Sequence, residues 1–326
     1  MTTPEKDTLV LNSNDRHAIT ETSENRVDAE RLLVLPEPFN YSEVLYYLNR
    51  STLECLHEVE EDRIYKSLDI QGRPIPIEIR YEALSHALFI RCLCAEPVST
   101  EEWNLIFLFI EEWFDLRRDL APFYQLAEND PLLRPLVQSL KGLRIIGVPD
   151  LFEALCWAVI GQQINLTFAY TLKKRLVENF GEAYECNGRV YYRFPSPSAL
   201  LDSSTLAALR ELQFTSKKAE YIVDIAGRIV RGELQKEKLL AAGYRAAEET
   251  LLQIRGIGPW SAHYVMMRCL RNPAAFPAGD AGLHAALKKQ LGLSGKPTPA
   301  EITATFKPWK GYEAYAVFYL WRSLTL

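Results

Sequence analysis

The sequence predicts an α+β fold: an N-terminal antiparallel sheet with flanking helices, followed by an all-helical domain containing a helix–hairpin–helix. Three observations carry this. Between Cys55 and Leu93, short stretches of β-forming residues alternate with turn signals such as Gly72-Arg73-Pro74. After Asp130-Pro131, apolar residues recur at 3.6-residue spacing to the end of the chain. Within that second region, Gly256-Ile257-Gly258-Pro259 interrupts the helical pattern with a tight turn between two helices, as an ordinary helical connector or a hairpin would.

Taken in order, residues 1–30 are polar and aperiodic, and a disordered tail is expected there. Residues 31–130 form the α+β domain. In it, Val44, Leu45, Tyr47 and Leu48 mark one face of a short helix over Glu43–Arg50. Strands are expected at Cys55–Val59, Arg63–Leu68, Pro76–Tyr81 and Ala87–Leu93, where consecutive strands with tight turns favour antiparallel pairing. Trp103, Phe107, Ile110 and Phe114 then predict a helix over Glu101–Arg118. Residues 131–326 form the helical domain. Helical runs cover Leu132–Leu140, Asp150–Asn179, Ser198–Leu206, Lys217–Arg231, Ala246–Ile254, Ser261–Leu270, Gly282–Leu291 and Tyr312–Leu324.

Composition excludes several function classes. No apolar run reaches the length of a bilayer span, and the N-terminus lacks the basic-then-apolar layout of a secretory leader, so a cytoplasmic protein is expected, nucleoid-associated if its source is bacterial. The six cysteines (Cys55, Cys92, Cys94, Cys156, Cys186, Cys269) show no metal-binding spacing and read as reduced thiols. The net charge of −5 is unevenly placed. Residues 1–150 hold 15 Lys and Arg against 27 Asp and Glu, hence −12, while residues 151–326 hold 22 against 15, hence +7. A basic helical half can dock on phosphates while the acidic half faces away.

Chemistry concentrates after Thr250. Gly256 and Gly258 suit a turn needing positive φ or close backbone approach, and Pro259 suits the first turn of the following helix. The hairpin thus presents helix N-terminal N–H groups, a ready phosphate site. The next loop, NPAAFPAGD, ends on Asp280, which is an N-cap by position. Capping and catalysis are compatible there. A helix N-terminus favours the charged form of a carboxylate, which could then stabilise an oxocarbenium-like sugar and help water attack it.

The pairing of LLQIRGIGPWSAHYVMMRCL with FPAGD resembles the helix–hairpin–helix (HhH-GPD) DNA glycosylases, most closely their DNA-3-methyladenine glycosylase II (AlkA) branch. GVPDLFEALCWAVIGQQINLTFAYTL and KPWKGYEAYAVFYLW are similar to further segments of that branch, in order, and the likeness runs from about Pro36 to the C-terminus. It implies an enzyme that flips a damaged base out of double-stranded DNA and cuts its glycosidic bond, with Asp280 as the essential carboxylate. It implies that Gly256, Ile257, Gly258 and Ser261 grip the DNA backbone. Carbonyls of Leu252, Ile254 and Gly256 would hold a monovalent cation, Na⁺ or K⁺. Gln163, or Ile164 beside it, would fill the gap left by the flipped base. Strand-cleaving relatives carry a Lys where this chain has Trp260, so water rather than an amine is the expected nucleophile and no lyase activity is expected. The four-cysteine run of the iron–sulfur relatives is missing, so no such cluster is expected, nor any other cofactor. A monomer is expected.

Trp260 and Tyr264 lie one turn apart on one helix face and could wall a base pocket, with Phe39 or Tyr41 of the N-terminal domain opposite. An electron-rich wall would favour a cationic alkylated purine by roughly 1 kcal/mol. Phe168, Trp157 and Trp309 read as core, and neither His263 nor His284 has a carboxylate partner visible in the sequence. Two departures from the branch stand out: Ala281 follows Asp280 where a second aromatic is usual, and the terminal helix places Phe318 where a Trp is expected. Three readings stay open: an alkylpurine glycosylase, a glycosylase for another lesion, and a non-catalytic helix–hairpin–helix DNA-binding or lesion-sensing protein.

Overall fold

The structure, a computed structural model, describes residues 17–18 and 29–326. The N-terminal sheet has six strands: β1 (His17–Ala18), β2 (Glu30–Val34), β3 (Glu58–Glu60), β4 (Arg63–Ile70), β5 (Arg73–Glu82) and β6 (Ala87–Cys92). Their order is β1-β2-β6-β5-β4-β3, antiparallel throughout. Alternation does the work: Ile75, Ile77 and Ile79 of β5 all point to one buried face. Helix α2 (Thr100–Trp113) covers that face with Trp103, Ile106, Phe107 and Ile110. It starts in a capping box in which Ser99 and Glu102 satisfy each other's backbone N–H groups. Helix α1 (Tyr41–Leu48) precedes β3, its first turn capped by Asn40.

Eleven further α-helices follow among the described residues: α3 (Ala121–Glu128), α4 (Leu133–Ser139), α5 (Leu151–Ile160), α6 (Leu166–Phe180), α7 (Thr205–Glu211), α8 (Ser216–Val230), α9 (Lys236–Leu252), α10 (Pro259–Arg268), α11 (Ala281–Leu291), α12 (Pro299–Phe306) and α13 (Glu313–Ser323). Helix α5 is the axle. Eight of its ten residues are buried, and α6, α8 and α10 pack around it. No helix of the described residues is long and apolar enough to cross a membrane.

Several elements depart from the sequence reading. The expected tail lies mostly outside the described residues, but His17–Ala18 forms a short strand on β2, and β2 itself begins at Glu30. The run expected over 150–179 is two helices, broken at 161–165, where Gln163 has φ 57°. The second domain is not all-helical. Strands β7 (Glu182–Cys186) and β8 (Arg189–Arg193) form a hairpin across Asn187-Gly188, both at positive φ, the conformation an Asn-Gly turn favours. Arg193 pairs with Asp69 and Arg189 with Glu58 and Glu60, so this hairpin clamps the helical domain onto the edge of the N-terminal sheet. All six cysteines are free thiols.

The two parts also share a seam around α13. Arg322 pairs with Glu43 of α1, and Phe318 packs on Tyr47 with ring centroids 5.2 Å apart.

Candidate active site and nucleic-acid interface

The hairpin runs from the end of α9 to the start of α10. Ile257 N–H donates to the Ile254 carbonyl, closing the turn at 3.0 Å. Gly256 has φ 88°, and a Cβ there would lie 2.2 Å from the Tyr221 ring, so geometry and space both demand glycine. Gly258 differs. Its backbone is extended, it is exposed, and a Cβ there would meet nothing within 4 Å. It is also the N-cap of α10, with no side chain capping the helix, so the N-terminal N–H groups face open space.

The broken segment between α5 and α6 docks on this hairpin. Gln162 Nε2 donates to the Gly256 carbonyl (2.8 Å) and to Ser261 Oγ (2.9 Å). Lys218 Nζ donates to the carbonyls of Ile160 (2.7 Å) and Gln162 (2.9 Å). Burial depresses the Lys218 ammonium below the usual lysine range. Gln163 is thereby held out to solvent, Ile164 is half-buried, and Leu166 is 53% exposed on the first turn of α6. The Ser261 and Ile257 side chains are buried, so only their backbones can serve a phosphate. Two of the three carbonyls expected around a cation already accept N–H donors: Gly256 from Gln162 and Ile254 from Ile257. Each of these oxygens keeps a second lone pair that a monovalent cation can use.

Asp280 caps α11, its Oδ1 accepting from Leu283 N–H at 2.7 Å. Two indoles also hold it: Trp321 Nε1 donates to Oδ1 (2.7 Å) and Trp260 Nε1 to Oδ2 (3.0 Å). Three donors from three segments fix the carboxylate's plane while the residue stays half-buried. Gly282 makes room for this. A Cβ there would lie 3.1 Å from Asp280 Oδ1 and 3.3 Å from the Trp321 ring. The loop leading to Asp280 is pinned too. His284 Nε2 donates to the Ala278 carbonyl (2.7 Å), and Phe276 stacks on Phe306 at 4.2 Å. Phe276 N–H donates to His263 Nδ1, whose Nε2 faces Glu248 at 3.1 Å, so His263 does have a carboxylate partner. Burial lowers the His263 pKa against the pull of Glu248.

Trp260 and Tyr264 face each other with centroids 5.6 Å apart. Burial raises the Tyr264 phenol to about 12. The far wall is corrected: Tyr41 is buried in the sheet domain, stacked on Tyr81 and bonded to the Asp62 and Ile79 carbonyls, and Phe39 packs against the core beside it. Tyr47 takes their place, between Phe318 and the guanidinium of Arg268. The tryptophan expected on the terminal helix is also present, at Trp321, one turn beyond Phe318, which is buried behind it. Trp309 is core, its indole bonded to Asp130, but Trp157 lines a cavity.

That cavity, about 60 Å³, opens between the domains beneath Tyr264. On its far side Lys173 bridges Glu54 and Glu153. Burial alone would raise Glu54, but Lys173 and His57 bring it well below the usual carboxylate range. Burial takes the His57 imidazole down to about 4. Among the described residues no group of three His, Cys, Asp or Glu side chains could hold a metal ion.

Comparison with known proteins matches this geometry to named relatives. Residues 156–311 match the HhH-GPD superfamily base excision DNA repair protein, and residues 40–155 match the 8-oxoguanine DNA glycosylase N-terminal domain. The chain is 45% identical over 295 residues to a DNA-3-methyladenine glycosylase of Bacillus subtilis (strain 168), spanning 90% of this chain and 96% of that one. It is 28% identical over 285 residues to DNA-3-methyladenine glycosylase 2 of Escherichia coli (strain K12), spanning 87% and 94%. Among solved structures, a 3-methyladenine DNA glycosylase from Archaeoglobus fulgidus shares the fold with a TM-score of 0.78 at 24% identity, over 89% of this chain and 97% of that one.

Proposed function

This chain belongs to the HhH-GPD superfamily of base excision DNA repair proteins, and we propose that it is a monofunctional DNA glycosylase for alkylated bases of the 3-methyladenine and 7-methylguanine type. The observation that carries this reading is the Asp280 carboxylate, oriented by two indole N–H groups and a helix N-terminus on a residue that stays half-buried. A negative charge so placed stabilises the cationic, oxocarbenium-like sugar as the glycosidic bond breaks, and assists water in attacking it. Trp260 occupies the hairpin position where an amine nucleophile would stand, and its ring is committed to Asp280 and Tyr264. With water as nucleophile, the product is an abasic site in an uncut strand. The open N-terminus of α10 at Gly258 receives a DNA phosphate, and Gln163 with its neighbours fills the space of the flipped base. No step depends on a cation at the hairpin.

The test is single-turnover excision on duplexes carrying 3-methyladenine, 7-methylguanine or hypoxanthine, with wild type against Asp280→Asn. Asn retains an oxygen for the Leu283 and Trp321 N–H groups, but turns an amide N–H₂ toward Trp260 and removes the charge. The expected result is release of free base with the strand intact until alkali treatment, and a loss on the order of 10³-fold in the variant with DNA binding retained. A wild type that binds these duplexes and releases no base defeats the reading.

A further inference from the structure

The aromatic wall of this pocket is already occupied by the protein's own cations. Two arms run from Asp280: one through Trp260 to Tyr264, the other through Trp321 and Phe318 to Tyr47. Arg268 closes them into a ring, its guanidinium 5.1 Å from the Tyr47 centroid, 5.4 Å from Tyr264 and 5.9 Å from Phe318. It is 3% exposed, and its Nε and Nη1 donate to the Ile146 carbonyl and the Tyr264 hydroxyl. Arg50 sits at the mouth, 3.9 Å from the same Tyr47 ring, with Nε donating to Tyr170 Oη at 2.6 Å. Neither guanidinium has a carboxylate partner among the described residues, although Lys173 nearby has two. Within the described residues Arg268 Nη2 and both Nη atoms of Arg50 make no hydrogen bond, and Arg50 is exposed, so its Nη groups face water.

Arg268, a buried guanidinium without a counter-charge, is costly unless something bound there supplies acceptors, and Arg50 at the mouth has donors free to exchange water for a ligand. The space for it exists: the cavity lined by Tyr47, Arg50, Tyr170, Tyr264 and Arg268 is several times what one water needs. Resting on the glycosylase reading above, we propose that Arg50, backed by Arg268, makes the pocket discriminate by charge and edge, favouring neutral purines that offer a carbonyl oxygen and an unsubstituted N7 over cationic N-methylated purines. A guanidinium fork matches the O6 and N7 acceptors of such a purine. Deamination of adenine creates that edge by replacing an amine donor with O6. Methylation at N7 destroys it and adds a positive charge facing two others, and methylation at N3 adds the charge alone. Cationic bases are still released, because their glycosidic bonds are weak to begin with. The arginines therefore raise the neutral base relative to the cationic one.

The experiment measures single-turnover excision of hypoxanthine and of 7-methylguanine, in the same duplex context, by the full chain and by Arg50→Met. The ratio of the two rates is expected to fall roughly tenfold in the variant, with hypoxanthine slowed and 7-methylguanine unchanged or faster. Arg50→Lys keeps the charge and loses the fork, so hypoxanthine should slow while 7-methylguanine does not speed up. Tyr170→Phe, which frees Arg50 without removing it, should move the ratio the same way by less, and covers the case in which Arg50→Met does not fold. A ratio unmoved in the folded variants overturns the inference and leaves the glycosylase reading standing. A wild type that excises neither base overturns both.

Discussion

Replacing Trp321 with Phe removes one N–H donor from the Asp280 carboxylate and leaves the Leu283 cap and the Trp260 contact in place. Two consequences oppose each other. Losing a donor leaves more of the carboxylate's charge free to attract the sugar cation, which would speed excision. Losing it also frees the carboxylate to turn about its own axis, which would slow excision. Magnitudes decide between them. The indole contributes only a dipole at a half-buried site, so the gain in free charge is a fraction of a unit. The contact itself is a 2.7 Å charge-assisted bond, for which loss costs about 1.5–3 kcal/mol. If that sum is felt in the transition state, the rate falls roughly 10- to 150-fold, in keeping with the cost of a catalytic group misplaced by about 1 Å. The assay is single-turnover excision with enzyme in excess, alongside DNA affinity and urea denaturation. A variant that binds DNA normally and excises as fast as wild type, or faster, would refute the claim that orientation of Asp280 limits its use.

Four further outcomes follow from the same geometry. Gly282→Ala should slow excision about tenfold by pushing on Asp280 and Trp321, while stability changes by less than about 1 kcal/mol because Ala is the better helix former; parallel losses of stability and rate would count against it. Gly256→Ala should destabilise the fold by more than about 2 kcal/mol, since its φ is positive and the Tyr221 ring occupies the space. Gly258→Ala should leave the melting temperature unchanged yet weaken DNA binding, because nothing in the protein fills the space its methyl would enter; equal effects of the two substitutions on stability would remove the case for a phosphate at Gly258. His57 is held neutral down to about pH 4 by burial, against the pull of Glu54 and with the push of Lys66 and Lys173. The unfolded chain takes up that proton near pH 6.5, so stability from this group is intact above 6.5 and lost as pH falls toward 4. Between pH 7 and 5 the loss is about 2 kcal/mol, and His57→Gln should lose that part of the slope in urea denaturation; identical slopes would show that His57 carries none of it.

What could be read from the chain was whatever depends on local spacing. The strands of the sheet, the helices after Asp130, the hairpin at Gly256–Gly258 and the cap at Asp280 each have a signal within a few residues. The Asn187-Gly188 turn was equally local, and the β7–β8 hairpin could have been found from it. Side chains that meet only in three dimensions left no such trace. Phe318 and Trp321 lie three residues apart on α13, so periodicity puts both on one face and cannot say which reaches Asp280. Choosing Phe39 or Tyr41 over Tyr47 failed for the same reason: all three are aromatics at the start of the N-terminal domain. Tyr41 is drawn inward by two backbone carbonyls, and Tyr47, about a third of a turn round α1 from it, meets the terminal helix. Gly282 and the pairing of His263 with Glu248 depend on how close α13 and α9 approach, which no single segment encodes.

The N-terminal domain holds the carboxylate in place without touching it. Asp280 takes one indole from α10, which is built into the hairpin, and one from α13. Helix α13 is itself anchored on the N-terminal domain, through Arg322 to Glu43 and Phe318 to Tyr47. Trp321 lies between two of these anchors, so the angle at which it meets Asp280 is set by how the domains dock. On the other side, Gln162 ties the segment bearing Gln163 to the same hairpin that carries Trp260, and Lys218 holds that segment's backbone to α8. A push on that segment by a DNA strand reaches Asp280 through Trp260, and a change in domain docking reaches it through Trp321. The two routes meet on opposite oxygens of one carboxylate, Oδ2 and Oδ1. Their effects should therefore be non-additive: in Trp260→Phe with Trp321→Phe, the second substitution should cost much less than the first, since a carboxylate already free to turn has little orientation left to lose. Full additivity of the two losses in excision rate would mean that the indoles act on the base rather than through Asp280.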